Sequence, residues 1–150
     1  MDRVEQMQGI TIKPLRIIEG ADGNVMHALK ESENSFTKFG EAYFSTVNQN
    51  AIKGWKKHTQ MHSNLIVPVG EVQFVFYDDR KNSETYGCYY AINLSPAENY
   101  QRLTIEPGLW MAFKGIGKEL NMVMNLASIS HDPNEAINDL LADSKVKYPL

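Results

Sequence analysis

Short apolar and aromatic runs recur along the chain every ~8–12 residues, each closed by glycine, proline, asparagine, aspartate or serine, as in an all-β sandwich or barrel. Ile10 to Ile18 alternates apolar with polar, the Gly20 to Asn24 segment breaks it, and Val25 to Leu29 restarts it as a hairpin or loop return. Phe39 to Val47 is aromatic and β-branched; Asn48-Gln49-Asn50 reads as a turn, and Ala51 to His58 as the second arm of another hairpin. A run beginning at Leu65 passes through a turn at Pro68-Val69-Gly70 into Glu71 to Asp78. There Val72, Phe74 and Phe76 share one face, and Gln73, Val75 and Tyr77 the other. Further strands are expected at Tyr86–Leu94, Tyr100–Ile105, Leu109–Phe113 and Asn121–Ile129. In the last of these, Met122, Met124 and Leu126 are expected to line the interior, with Asn125 as the cleft contact. Asp132-Pro133-Asn134-Glu135 has the form of a helix start, Asp132 capping and Pro133 in the first turn, which predicts a short C-terminal helix to about Leu141. With 150 residues, no repeat and no linker, residues 1–150 read as one domain.

Charge and composition narrow the function. Fifteen basic residues face eighteen acidic ones, for a net charge of −3, and no basic stripe stands out, so nucleic acid is not an expected partner. Cys88 has no second cysteine to pair with, the amino terminus lacks the pattern of a signal peptide, and no apolar run approaches the ~20 residues that span a bilayer. A cytoplasmic protein without membrane contact is expected.

Of the histidines His27, His58, His62 and His131, only His58 and His62 are close in sequence. On an extended strand that spacing separates them by ~13 Å, too far to share one ion, so no metal is expected. Neither a Gly-x-Ser-x-Gly nucleophile nor a phosphate-binding glycine loop is present. The informative stretch is Ala51 to His58, where Lys53, Lys56, Lys57 and His58 surround Trp55. On a regular strand Ile52, Gly54, Lys56 and His58 share one face and Lys53, Trp55 and Lys57 the other, so either face presents cations. Two readings follow: an edge strand blunted by lysines, or a cleft where a lysine and a histidine meet an anionic substrate and an aromatic ring covers a sugar or base.

The runs Phe39–Val47, Ile52–His58, Val67–Val75 and Ile105–Phe113, in that order, resemble dTDP-4-dehydrorhamnose 3,5-epimerase and its cupin-like relatives. The last resembles that family's Ile-Pro-x-Gly-Phe-x-His-Gly-Phe segment, and the resemblance extends over roughly residues 15 to 140. It implies a double-stranded β-helix, the cupin jelly roll, forming a homodimer that acts on a nucleotide-linked sugar with no metal or organic cofactor. The family's Arg-Gly-Leu-His aligns with Lys53-Gly54-Trp55-Lys56, so Lys56 stands where the catalytic histidine is expected. Against the Gly-aromatic-His-x-His of the related sugar-nucleotide 3,4-ketoisomerases, Lys56 replaces the first histidine and His58 matches the second. The acid tyrosine's place falls near Met124 and that of an early diphosphate-binding arginine at Asp22 or Ala21.

The resemblance thus implies His58 and Lys56 as catalytic candidates and Lys53, Glu41, Tyr43 and Arg80 as substrate-binding ones; Trp55 and Asn125 join the latter from the residues themselves. Tyr86, Tyr89 and Tyr90 are candidate replacement acids, and Asp139 stands where an acidic residue orients a histidine in the relatives. Proton abstraction beside a ketone suits imidazole without tuning. An amine would need burial or cationic neighbours, for which Lys53 and Lys57 are at hand, or it could stay protonated and polarise the sugar carbonyl. The expected activity is epimerisation or isomerisation of a 4-keto-deoxysugar nucleotide in surface-polysaccharide synthesis. The alternative is a non-catalytic sugar-nucleotide-binding module that has lost the usual base and acid.

Overall fold

The computed structural model describes residues 2–139, and among them there are twelve β-strands. Two five-stranded antiparallel sheets face each other. One runs β1 (Ile10–Pro14), β9 (Gln101–Ile105), β6 (Ser63–Val69), β11 (Met122–Ala127), β4 (Glu41–Thr46). The other runs β12 (Ala136–Asn138), β5 (Ile52–His58), β10 (Trp110–Gly115), β7 (Val72–Tyr77), β8 (Tyr89–Leu94). Strands β2 (Ile17–Ile18) and β3 (Val25–Met26) form a small separate hairpin. This is the cupin jelly roll. Among the described residues no helix is long and apolar enough to cross a membrane.

Chain neighbours mostly change sheets. β4 and β5, expected to form a hairpin, lie in opposite sheets, β4 paired with β11 and β5 with β10 and β12. β6 and β7 likewise cross from one sheet to the other around Gly70, whose φ of 81° and contact with Asn121 leave no place for a side chain. Both changes have one cause: the apolar face of each strand must meet the opposite sheet, and only a chain that alternates between layers closes the interior at both ends.

The expected C-terminal helix is not formed in the described residues. Asp132 caps a turn through the Asn134 N–H, and Ala136–Asn138 then pairs with β5 as an edge strand; Leu141 lies outside the described residues. The Asp132 cap thus forms, but for a single turn. What overrides the helix is the edge of β5, whose backbone groups would otherwise lack partners, together with the Glu135 carboxylate, which is drawn to residues 58–61.

The interior is divided. Towards β7, β8, β1 and β9 it is packed core: Val72, Phe74, Phe76, Leu94, Leu103 and Ile105 are buried, and Phe74 meets Phe113 with ring centroids 5.7 Å apart. Towards β4, β5 and β12 it opens as a cavity. Along β11 the alternation is the reverse of expectation, with Val123 and Asn125 on the cavity side and Met122, Met124 and Leu126 half-buried outside. Methionines resemble core residues in a sequence, but the interior wall here borders a cavity and carries an amide instead.

A buried carboxylate anchors the loop after β7. Asp78, fully buried, accepts hydrogen bonds from Arg80 Nε (2.9 Å) and Nη2 (3.0 Å), Ser83 Oγ (2.5 Å) and Thr85 Oγ1 (2.7 Å). Burial alone would raise its pKa, but the Arg80, Ser83 and Thr85 hydrogen bonds outweigh it and bring the carboxyl down to about 2. A folded value below the unfolded one of 3.8 means that this stabilisation is complete above pH ~4 and is lost as the pH falls towards 2. Asp78→Asn should therefore lower unfolding free energy near neutral pH by about 2 kcal/mol or more. Urea titrations across the acid range should show the gap to wild type closing below pH ~4.

Candidate active site

Strand β5 is irregular at its centre. Met111 on β10 pairs with Lys56 but Ala112 pairs with Gly54, so Trp55 is an extra residue in the ladder. Gly54 makes this possible: its φ is 134°, and a Cβ there would lie 2.7 Å from the Cα of Ala112. The bulge resets the alternation. Lys53 comes to lie opposite Phe113 and Lys56 opposite Met111, and both lysines face the cavity with His58. Trp55 turns the other way. It borders the cavity along the strand but is 2% exposed and packs with Val75, Tyr89, Ala91, Trp110 and Ala112 on the sheet's far face. Lys57 lies on that far face too, 2.8 Å from the Asp79 carboxylate and 4.7 Å above the Trp110 ring. Of the two lysines that the sequence offers beside Lys56, only Lys53 lines the cavity with it.

The cavity has a volume of about 530 Å³. One wall is β5 with Lys53, Lys56 and His58, bordered by Asn138 and Asp139; the facing wall is Tyr43 and Ser45 on β4 and Asn125 on β11. Leu65, Met111, Phe113 and Val123 separate it from the packed core. An apolar floor under a few convergent polar groups is the form of a small-molecule site.

His58 Nδ1 is hydrogen-bonded to Glu135 Oε1, and Glu135 is 3% exposed. The other oxygen of that carboxylate accepts from three successive backbone N–H groups: Thr59 at 3.0 Å, Gln60 at 3.0 Å and Met61 at 3.2 Å. Burial pushes the Glu135 pKa up, but the His58 and backbone hydrogen bonds outweigh it and hold the carboxyl below its ordinary value. An ionised carboxylate only accepts, so Nδ1 carries a proton, and in the neutral form of the ring the lone pair is on Nε2. The imidazole is thus oriented by a buried carboxylate.

On the facing wall, Asn125 pairs in register with Tyr43 and its Nδ2 donates to the phenolic oxygen at 2.9 Å. Lys53 Nζ donates to the Thr46 carbonyl at 2.6 Å, bridging the two walls at the β4 edge. Among the described residues no three of histidine, cysteine, aspartate and glutamate cluster as metal ligands.

The structure thus brings together His58, Lys56, Lys53, Tyr43 and Asn125 of the residues singled out from sequence. Glu41, at the start of β4, and Arg80 do not line the cavity. Arg80 is held by Asp78 and the Gln8 carbonyl at 2.5 Å, an anchor for the amino-terminal segment. Tyr86, Tyr89 and Tyr90 also lie outside the lining. The sequence places Glu135 at a helix start and offers Asp139 for the orienting role, whereas the structure puts the Glu135 carboxylate on His58. Asp139 borders the cavity and its backbone pairs with that of Trp55; the carboxylate on His58 comes from the turn before β12. The separation of 77 positions between His58 and Glu135 leaves no local signal.

The jelly roll and its half-open interior define a cupin, with a histidine–carboxylate pair beside lysines in its cavity. The chain belongs to the FdtA family (WxcM-like, C-terminal), whose model matches residues 8–145. The crystal structure of a dTDP sugar isomerase from Desulfovibrio desulfuricans G20 is 34% identical, with a TM-score of 0.87 over 89% of this chain and 85% of that one. The spore coat polysaccharide biosynthesis protein SpsL of Bacillus subtilis (strain 168) is 24% identical over 132 residues, covering 86% of this chain and 85% of SpsL. NovW, a 4-keto-6-deoxy sugar epimerase from Streptomyces spheroides, shares the fold at 16% identity, with a TM-score of 0.84 over 99% of this chain and 78% of NovW. The relatives are thus sugar isomerases, epimerases and polysaccharide biosynthesis proteins.

The dyad makes a prediction independent of substrate. In wild type, nitrogen NMR of the His58 ring near neutral pH should show the neutral form as the Nδ1–H tautomer. In Glu135→Gln the side chain can also donate to Nδ1, and the Nε2–H tautomer should appear; an unchanged ring spectrum would refute the assigned orientation.

Proposed function

We propose that this protein is an epimerase or isomerase of a nucleotide-linked 4-keto-deoxysugar, working by proton transfer alpha to the ketone without a metal, in surface-polysaccharide synthesis. The observation that carries this reading is the His58–Glu135 dyad set among cationic groups and facing a tyrosine across the cavity. His58 Nε2 takes the proton from the carbon beside the carbonyl, and the imidazolium that forms is stabilised by Glu135. Negative charge then grows on the carbonyl oxygen, where the Lys56 ammonium is placed to stabilise the enolate. Lys53 adds positive charge at the β4 edge for the diphosphate. The two lysines beside His58 also disfavour a divalent cation there, in keeping with a metal-free reaction.

Tyr43, on the opposite wall, is placed to deliver a proton to the other face of the enolate and so invert the stereocentre. Return of the proton by His58 to the neighbouring carbon, with the oxygen protons redistributed, would instead move the carbonyl. The substrate class is supported by the family and by the similarity to the Desulfovibrio dTDP sugar isomerase. A homodimer, as the resemblance implies, and a cytoplasmic location, as the amino-terminal sequence and the lone cysteine suggest, complete the proposal.

Proton NMR with a panel of 4-keto-6-deoxy sugar nucleotides in deuterated water tests it. Loss of the C3 or C5 signal is expected for a true substrate, and His58→Asn should slow that loss by roughly 10²–10⁴-fold. Tyr43→Phe should retain exchange but lose inverted product. Tight binding with no exchange for any member of the panel would overturn the catalytic reading in favour of a non-catalytic binding module.

A further inference from the structure

Asn125 is 4% exposed, and such an amide is costly to bury unless its donors and acceptor are matched. Every contact it makes is fixed in direction. The backbone N–H of Asn64 points at it from 3.1 Å and can only donate, so the atom facing Asn64 is the amide oxygen. The NH₂ group must then face the two remaining neighbours, the Tyr43 phenolic oxygen at 2.9 Å and the Met61 sulfur at 3.8 Å, both able to accept. Asn64 is locked in turn: Thr104 Oγ1 donates to its Oδ1 at 2.7 Å and its Nδ2 donates to the Leu126 carbonyl at 3.0 Å. No member of this chain can flip without leaving a buried group unpaired.

The consequence falls on Tyr43. An amide NH₂ cannot accept, so the phenolic oxygen receives a hydrogen bond from Asn125, and its own proton has no acceptor among the described residues. We propose that Asn125 is a positioning residue, which directs the Tyr43 proton into the cavity and steadies the phenolate left after transfer. The inference deepens the proposed function and rests on that reading for the reaction it serves. It also accounts for the departure near Met124: the acid place of the resembling family lies on β11, and here the phenol comes from β4, one strand away and in register with Asn125. An asparagine at 125 thus does for a tyrosine on the next strand what a tyrosine on β11 would not need.

Two substitutions and two readouts test this. In Asn125→Asp a carboxylate accepts from both Asn64 N–H and the Tyr43 hydroxyl, reversing the second bond and drawing the proton away from the cavity. In Asn125→Ser the side chain is too short to reach the phenol, so the donor is lost without a buried charge. With ¹³Cζ-tyrosine labelling and the resonance assigned through Tyr43→Phe, the Tyr43 signal is expected to move in both variants while those of the other six tyrosines stay in place. With a substrate from the panel, kcat of Asn125→Asp should fall by roughly 10²-fold with KM within about threefold, a split that general loosening of the barrel would not give. A stationary Tyr43 resonance in the folded variants, or an unchanged kcat, overturns the inference. A wild-type protein that exchanges no sugar proton removes the reaction but not the assignment, which the resonance shift reads without substrate.

Discussion

One extra residue in β5, accommodated at Gly54, decides which side chains meet in the interior. Without it, Lys53 would stand on the opposite face from Lys56 and His58, because side chains on a strand alternate with period two. The bulge absorbs one step of that alternation, so both lysines and the histidine enter the cavity while Trp55 becomes a packing residue outside. The close approach of Ala112 behind Gly54 means that no other residue type fits the same backbone without displacing β10. A cationic wall is thus a property of backbone geometry as much as of composition.

The second requirement is that buried polar groups be matched. Glu135 is nearly inaccessible to water, and an unpaired carboxylate there would be strongly destabilising; it is instead met by His58 and three backbone donors. Asn64 and Asn125 follow the same rule on the facing sheet. These two networks hold the imidazole and the phenol in set orientations on opposite walls. The packed aromatic half of the barrel supplies the rigid background against which a 530 Å³ space can stay open.

Arg80 and Trp55 show how a residue can keep a suggestive type and serve another purpose. Each is of a kind that binds sugar nucleotides, and each is engaged by its own neighbours here, Arg80 by the buried Asp78 and Trp55 by the second apolar cluster. Residue type sets what a side chain can do; packing decides what remains available to a ligand.

Most strand positions and the all-β class were set by local alternation and turn residues, which act over a few neighbours and can be read in order along the chain. The ordered motifs added the jelly roll and marked His58, Lys56, Lys53 and Tyr43. Tertiary structure alone decided that β4 and β5 separate into different sheets, that Ala136–Asn138 becomes a strand, and that Glu135 orients His58. Each of these depends on groups far apart in sequence: the open edge of β5, the donors of residues 59–61, and the bulge that requires β10 beside it. A sequence carries no period or spacing for contacts that arise only once two sheets have closed on each other.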